Sequence, residues 1–522
     1  MSENTENPRL NPHLSAEGRV VDPARYAGRR ACVIGAGFGG LALAIRLQSA
    51  GIATTILEAR DKPGGQAYYW KREGFTFDAG PTMISDPGAL RELWRESGQD
   101  LAQDVELMPV SPYCRFHWED GTSFDYSGDA EVLSAELAKI NPVDVTGFEH
   151  LLEYSAELLE LQRHGIEKAG PFDLRTALKS TPALARRQAW RSCYKSVSKH
   201  IEDEKLRQAF SSRALLAGGN PMAQGAMALQ YIKQERDNGI WWPRGGTGKL
   251  ISAMVRHFER IGGTIRLHDP AVRIHTMGKY ATEVESQSGW QERFDAVASN
   301  TDLIHCYRDL LAHTKRGGDY ARTLSRKEFS PSLFIAHFGI EGAWPGIPHH
   351  SVLFGPRYQG LIEDIYQHGV LPADFLIYLH HPTVTDPAMA PDGKSTFYAM
   401  VPVANMGKLA LDWEAIGPML EQRVLDEVSR RLIPDIHERI VTKFSYTPRD
   451  FAMDLNAYLG SAFSLGSGMT QSGYFRPHNR DEGIENLYLV GAGTHPGAGV
   501  SAVIQGAKVT AGLMLKDLEK AR

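Results

Sequence analysis

Arg30-Ala-Cys-Val-Ile-Gly-Ala-Gly-Phe-Gly-Gly40 begins a segment that continues through apolar residues at helical spacing to Thr54-Thr-Ile-Leu-Glu58. A short apolar strand, a glycine turn, a helix and a second strand predict a βαβ unit of about thirty residues. The turn fits G-x-G-x-x-G, whose glycines let backbone N–H groups approach a pyrophosphate at the positive end of a helix. These glycines are Gly35, Gly37, Gly39 and Gly40. Glu58 lies 23 residues after Gly35, where a carboxylate can accept hydrogen bonds from a ribose. The segment therefore predicts a dinucleotide-binding domain.

Further glycine turns favour FAD over NAD as the dinucleotide. Asp61-Lys-Pro-Gly64-Gly65 follows Glu58 directly, and Phe77-Asp-Ala-Gly80-Pro81-Thr82 forms another tight loop that could approach the flavin end. Near the other end of the chain, Gly491-Ala-Gly493-Thr494-His-Pro-Gly-Ala-Gly499-Val500 joins a strand to a helix. The start of this second helix can lie against the flavin ring and ribityl chain. Two such motifs at opposite ends of the chain predict a flavin domain interrupted by insertions.

The composition is that of a globular enzyme. The chain has 522 residues, 42% of them hydrophobic, and a formal net charge of -5, which gives no general attraction to nucleic acid. The cysteines form no C-x-x-C pair, so neither a disulfide framework nor a zinc site is expected and a reducing cytoplasm fits. No apolar run is long enough to span a membrane, and residues 1–29 are polar, with prolines and no secretory signal, as in a loose tail.

The predicted fold class is α/β, with a discontinuous Rossmann-like FAD-binding domain and inserted substrate-binding and helical regions. We assign 30–87, 241–304 and 480–520 to the FAD-binding domain, 88–240 to a helical insertion, and 305–479 to a substrate-binding domain with a mixed sheet. Expected elements include a helix over 151–162 and strands near 264–274, 332–338 and 375–380.

Several runs resemble bacterial phytoene desaturases. They are Val33 to Arg46, Asp61 to Gly65, Gly74 to Thr82, Phe475 to Asp481 and Asn486 to Gly499, and shorter matches occur at 188–192, 354–358 and 454–458. The likeness spans about 30 to 518. It implies a flavin amine oxidase-like fold that binds FAD non-covalently, associates with a membrane, and desaturates phytoene to neurosporene or lycopene.

The resemblance also implies roles for individual residues. Glu58 would hold the ribose, Gly64 and Gly65 would pass the pyrophosphate, and the backbone of Val272 would meet the adenine. Gly493, Thr494, Gly499 and Val500 would lie along the flavin. Gln66 stands where the family usually has Arg, and Ser501 and Thr176 also depart from its pattern. An amide supplies no charge to the cofactor. We assign no side-chain acid or base to the reaction.

A hydrocarbon substrate predicts a long apolar tunnel that opens on a membrane. Aromatic candidates for its lining are Trp241, Trp242, Phe334, Phe338 and Tyr474. From Phe172 to His200 the chain carries seven basic residues against the single acid Asp173, with apolar residues at helical spacing among them. These apolar residues are Leu174, Leu178, Trp190, Tyr194 and Val197. This pattern favours a helix lying on an anionic membrane, and so a cytoplasmic protein bound peripherally.

Other readings of the sequence remain open. The histidine pairs at 349–350 and 380–381 are expected to be structural, because neighbouring side chains on a strand point apart. Alternative functions are a different carotenoid flavoenzyme, such as a desaturase of another carotenoid, an isomerase or a ketolase, and a non-catalytic isoprenoid-binding protein of the Rab GDP-dissociation inhibitor type. Because no second nicotinamide motif is present, oxygen or a quinone is the expected electron acceptor.

Overall fold

A parallel sheet organises the nucleotide-binding part of the molecule. The structure is a computed structural model that describes residues 23–167 and 182–520. In spatial order the five parallel strands are Leu487–Leu489, Ala296–Ser299, Arg30–Ile34, Ala53–Leu57 and Thr264–Arg266. Along Arg30–Ile34, Ala31 and Val33 face one core, whereas Cys32 and Ile34 face another. The sheet is thus buried on both faces, and its strands come from three separate parts of the chain, which confirms the predicted α/β class.

Helices cover one face of this sheet and a small antiparallel sheet covers the other. The helices are Phe38–Ser49, Pro87–Arg95, Thr247–Arg260 and Val500–Lys520. The antiparallel strands are Ala271–Met277, Tyr280–Ser286 and Gln291–Arg293. The prediction of one strand near 264–274 is wrong, because this segment is divided between the two sheets. His268 has a φ of 54° and Pro270 has no N–H to donate, so neither continues a strand.

A seven-stranded mixed sheet forms the second unit. In order its strands are Ile440–Tyr446, Ser332–Glu341, Lys394–Val403, Ile377–His380, His350–Leu353, Cys114–His117 and Ser123–Tyr126. The last two strands lie in the region predicted to be helical, so the structure corrects that prediction. Cys114 and Phe116 are buried and alternate with more exposed neighbours, which is the period of a strand. Trp413–Arg431 packs against one face of the sheet.

Helices dominate the rest of the inserted region. The 25-residue helix Val143–Glu167 contains the predicted 151–162 segment, with Leu151, Ser155 and Leu158 fully buried. Other helices there include Ala130–Ile140, Cys193–Val197, Glu204–Leu216 and Gln230–Asn238.

Short elements complete the described chain. The remaining α-helices are Leu303–His305, Lys315–Ser325, Tyr358–Glu363, Ile436–Arg439 and Pro448–Leu455. Two-stranded ladders pair Tyr69–Arg72 with Phe75–Asp78, and Leu107–Pro109 with Trp241–Pro243. Within 23–167 and 182–520, no helix combines the length and apolarity needed to cross a membrane.

The start of the described chain differs from the tail expected over residues 1–29. Pro23–Tyr26 forms a short 3-10 helix. Tyr26 is buried, and its hydroxyl donates to the Glu519 carboxylate at 2.6 Å. The aromatic ring supplies apolar area that the last helix can cover, so residues 23–29 pack onto the nucleotide-binding unit. Residues 1–22 lie outside the described part.

Candidate functional site

The glycine turn after Arg30–Ile34 forms one wall of a deep cavity. Gly35 has a φ of 99°, a conformation that a side chain would strain. A Cβ on Gly40 would lie 2.0 Å from the Gly35 carbonyl oxygen, so only glycine fits there. The following helix Phe38–Ser49 has Gly37 as its N-cap and no side chain bonded to its first N–H groups. The turn therefore presents backbone donors, at the positive end of a helix, to whatever occupies the cavity.

Asn300, which we did not predict from the sequence, joins this turn to the C-terminal glycine motif. It follows the strand Ala296–Ser299 and donates through Nδ2 to the Val490 carbonyl at 3.0 Å. A Cβ on Gly37 would come within 2.9 Å of its Oδ1, and a Cβ on Gly491 within 2.5 Å of its Nδ2. A side chain at either position would therefore clash with the Asn300 amide, which lies between the two glycines. The apolar run before Asn300 was the signal that could have placed it at the end of a parallel strand.

Glu58 lies beside the glycine turn with its carboxylate almost fully buried. One oxygen accepts the N–H of Ala36 at 2.8 Å, and the other accepts the N–H of Arg60 at 2.9 Å. Burial raises the pKa of Glu58, and the N–H donors and the Arg60 charge oppose that rise. Each oxygen keeps an unused lone pair, and Glu58 lines the cavity, so the carboxylate can accept further hydrogen bonds there.

Most residues predicted to contact the cofactor line this one cavity, which has a volume of about 440 Å³. The lining members of the predicted set are Gly35, Gly37, Gly39, Glu58, Gly64, Gly65, Gln66, Gly80, Pro81, Thr82, Gly491, Gly493, Gly499 and Val500. The structure thus brings together residues separated by more than 400 positions in the sequence.

Three predicted residues do not line the cavity. Gly40 packs behind the turn, and Thr494 is fully buried, with its hydroxyl donating to the Gly491 carbonyl at 3.0 Å. Val272 is 42% exposed, whereas Pro270 and Ala271 just before it do line the cavity. The predicted contact of the Val272 backbone with the adenine would therefore be made from the edge of the cavity.

Gln66 reaches the cavity but is already engaged by the protein. Its amide donates to the carbonyl of Ala462 at 2.6 Å, which ties the second glycine turn to the loop before Phe463. Arg60 is the cation closest in sequence to this turn that lines the cavity. Its guanidinium stacks 3.7 Å from the centre of the Tyr68 ring and pairs with Asp454.

None of the aromatic residues expected to line the tunnel lines this cavity. Trp242, Phe334 and Phe338 are fully buried away from the cavity. Trp241 and Tyr474 are also absent from its wall. On Ser332–Glu341 the neighbouring Leu333 lines the cavity, and side chains alternate along a strand, so Phe334 faces the opposite core. The larger apolar and aromatic residues that line the cavity beyond the glycine turns include Met83, Leu216, Tyr231, Leu333, Tyr378, Tyr398, Met400, Phe451 and Phe463.

Two tyrosines and a threonine form a hydrogen-bonded group in this wall. The Thr82 hydroxyl lies 2.8 Å from the Tyr378 hydroxyl, and the Tyr398 hydroxyl donates to the Gly80 carbonyl at 3.0 Å. Desolvation raises the pKa of both phenols, so they stay neutral. They therefore fix the Gly80–Thr82 loop without placing a charge in the cavity.

Three of the paired histidines lie closer together in the structure than their positions in the sequence suggested. The expectation that His349 and His350 point apart is wrong, because His349 precedes the strand His350–Leu353. Candidate ligand nitrogens of His349, His350 and His380 all lie within 4.8 Å of one another. His349 Nε2 lies 3.1 Å from His380 Nε2, and His350 Nδ1 lies 2.7 Å from the Tyr378 hydroxyl. Burial lowers the pKa of all three, so the cluster is a neutral, hydrogen-bonded part of the wall behind the tyrosines.

The basic segment predicted to contact a membrane is described from residue 182 onward, and its members Leu174, Arg175, Leu178 and Lys179 lie outside the described residues. Trp190 is 53% exposed, whereas Val197 is buried, which corrects the predicted apolar face. The exposed cations around Trp190 are Arg186, Arg191, Lys195 and Lys199. A Cβ on Gly225 would touch both the Ala189 carbonyl and the exposed Met469. Exposed Trp190 and Met469 therefore lie on one side of the helical region, and the chain next to Trp190 carries exposed cations.

Comparisons with known proteins agree over nearly the whole chain. Residues 38–515 match the family described as flavin containing amine oxidoreductase. The chain is 49% identical over 498 residues to the lycopene-forming phytoene desaturase of Paracoccus sp., covering 95% of this chain and 99% of that one. It is 38% identical over 507 residues to the neurosporene-forming phytoene desaturase of Cereibacter sphaeroides, covering 96% and 97%.

Solved structures share the fold at low sequence identity. A putrescine oxidase redesigned in its cofactor binding superposes with a TM-score of 0.63 at 15% identity, covering 94% of this chain and 99% of that one. The agreement extends over both the parallel and the mixed sheet, because nearly all of each chain is covered.

Proposed function

Because this chain belongs to the flavin containing amine oxidoreductase family and, within it, to the bacterial phytoene desaturases, we propose that it desaturates phytoene to lycopene with FAD as its cofactor. The observation that carries this proposal is one cavity whose glycine-rich half suits a dinucleotide and whose other half is apolar. Lycopene is preferred over neurosporene because the lycopene-forming Paracoccus relative is the more similar of the two compared.

The residues present fit FAD. A Cβ on Gly40 would strike the Gly35 carbonyl, so the turn has the close approach that a pyrophosphate requires. Glu58 keeps acceptor capacity for ribose hydroxyls, and Arg60 adds a positive charge at the rim. We propose the predicted set from Gly35 to Val500, joined by Asn300 and Arg60, as the FAD-binding residues.

The chain's own residues position the substrate and exclude water. When bound, FAD supplies the acceptor for a hydride from an allylic carbon. Leu333, Met400 and Phe463 offer apolar surface to a polyene, which has no group to hydrogen-bond. The Tyr398 hydroxyl donates to the Gly80 carbonyl, and the Tyr378 hydroxyl is hydrogen-bonded with Thr82 and His350, so both phenols are engaged by the protein.

Peripheral binding to a membrane completes the proposed route of the substrate. Trp190 and Met469 are exposed near Gly225, and Phe463 of the cavity packs against Gly218 in the same loop region. Cations around Trp190 favour an anionic lipid surface. We expect the protein to bind phosphatidylglycerol vesicles, and Trp190→Ala to weaken binding more than Met419→Ala, an exposed methionine on Trp413–Arg431. Equal binding of both variants would refute this surface.

Expression in a bacterium that accumulates phytoene tests the function directly. We expect lycopene in the pigment extract, identified by chromatography and its absorption spectrum. Neurosporene as the end product would correct the product, and unchanged phytoene beside a folded, flavin-loaded protein would refute phytoene as the substrate. Oxygen or a quinone is proposed as the electron acceptor, and a strict requirement for NADPH would contradict that choice.

A further inference from the structure

A buried ion pair lies in the wall of the otherwise apolar half of the cavity. Glu235, on Gln230–Asn238, pairs with Arg213, on Glu204–Leu216, and both residues line the cavity. Their side chains are 2% and 12% exposed. The second carboxylate oxygen of Glu235 is buried without a hydrogen-bond partner among the described residues. A buried carboxylate with an unused acceptor therefore lies in the wall of a space suited to a hydrocarbon.

The pair lies beside the loops that we assign to the flavin. Arg213 Nη1 is 3.3 Å from the sulfur of Met83, the residue after the Gly80–Thr82 loop. Tyr231 is one helical turn before Glu235, so the two share a helix face. The Tyr231 hydroxyl is 3.6 Å from where a Cβ on Gly499 would lie. The two helices that carry the ion pair thus border both the Gly80–Thr82 loop and the start of the last helix.

Substrate binding gives no reason to keep these charges. Phytoene has no polar atom to contact them, and taking two charges out of water carries a free-energy cost that their attraction only partly offsets. An apolar pair of similar size would suit a hydrocarbon better. Three other carboxylates line the cavity, and each is engaged: Glu58 and Asp302 accept backbone N–H groups, and Asp454 pairs with Arg60. Among these carboxylates, Glu235 is the one with an oxygen that is buried without a hydrogen-bond partner in the described residues.

Resting on the proposed function, we infer that Glu235 is the catalytic base of the desaturation and that Arg213 is a positioning residue for its carboxylate. One C–H bond of the substrate breaks with its electron pair leaving as hydride to the flavin. The adjacent C–H bond breaks with its proton going to the free Glu235 oxygen, and its electron pair becomes the new C=C bond. The flavin is the oxidant, the –CH2–CH2– unit is oxidised, and the carboxylic acid then loses its proton to solvent.

The test compares Glu235→Gln with a matched control in flavin-loaded enzyme. Glu96→Gln makes the same change in another buried ion pair, with Arg46 at 3.1 Å, outside the cavity wall. We expect Glu235→Gln to slow single-turnover flavin bleaching by phytoene at least about 100-fold, the usual range for loss of a general base. Phytoene binding, measured by flavin fluorescence, should change less than about twofold, since the shape of the cavity is kept. Glu96→Gln should leave the rate unchanged.

Further variants separate chemistry from stability. Glu235→Asp keeps a carboxylate and should recover part of the rate. The double variant Arg213→Gln with Glu235→Gln removes both charges and should raise the unfolding midpoint above that of Glu235→Gln while staying slow. Arg213→Lys should be faster than Arg213→Gln at equal phytoene binding. A Glu235→Gln enzyme that binds phytoene and bleaches at the wild-type rate would overturn the inference, whereas a wild-type enzyme that never reacts with phytoene would instead refute the proposed function.

Discussion

Replacing Glu58 by Gln should weaken FAD binding while leaving the fold intact. Its two carboxylate oxygens accept N–H groups of Ala36 and Arg60 at 2.8 and 2.9 Å, and Glu58 lines the cavity with one unused lone pair on each oxygen. An amide keeps one acceptor, and its NH2 group would face an N–H donor, so the side chain must rotate away from one partner. Hydrogen bonds to a charged acceptor contribute about 1.5–3 kcal/mol, which corresponds to about a 10- to 150-fold rise in Kd for FAD.

Titration of the FAD-free protein with FAD, followed by quenching of flavin fluorescence, measures this change. The control is Glu259→Gln, which alters an exposed carboxylate at the C-terminal end of the helix Thr247–Arg260. The control should bind FAD as the wild type does. An unchanged Kd for Glu58→Gln, within about twofold, would refute the role assigned to the Glu58 carboxylate.

Four further substitutions test other contacts of the structure. Gly40→Ala places a Cβ 2.0 Å from the Gly35 carbonyl and should abolish FAD retention during purification, and a yellow purified variant would contradict this. Phe334→Ala should lower the free energy of unfolding by about 3–5 kcal/mol in urea, because Phe334 is fully buried, whereas Leu333→Ala should mainly change phytoene turnover. Burial raises the pKa of Asp78 from 3.8 to about 7, so this carboxyl holds a proton in the folded state that it loses in the unfolded state between those values. Its contribution to stability therefore falls as pH rises from about 4 to 7, by up to about 4 kcal/mol, and Asp78→Asn should flatten that part of the stability profile; an unchanged slope would contradict the assignment.

The nucleotide-binding half was predictable because its signals are local. A glycine turn between a strand and a helix constrains the backbone within a few residues, and Gly35 and Glu58 are found where the βαβ pattern put them. The C-terminal motif from Gly491 to Gly499 was recognisable for the same reason. Each motif determines its own backbone conformation and does not depend on contacts with distant parts of the chain.

The apolar half was less predictable because its wall is assembled from contacts distant in sequence. Every residue of Ser332–Glu341 except the last is buried, so hydrophobicity alone could not say that Leu333 faces the cavity and Phe334 the core. Arg213 and Glu235 carry no motif, and each would be read as a surface charge on its own helix. Only the packing of the two helices brings them together.

The central claim is that one cavity holds FAD beside phytoene so that the two react. Mixing the anaerobic, flavin-loaded protein with phytoene-containing liposomes and recording absorption spectra tests it most directly. We predict loss of the oxidised flavin bands together with the appearance of conjugated polyene bands at a matching rate. A flavin that stays oxidised, in a protein shown to bind phytoene, would contradict the account.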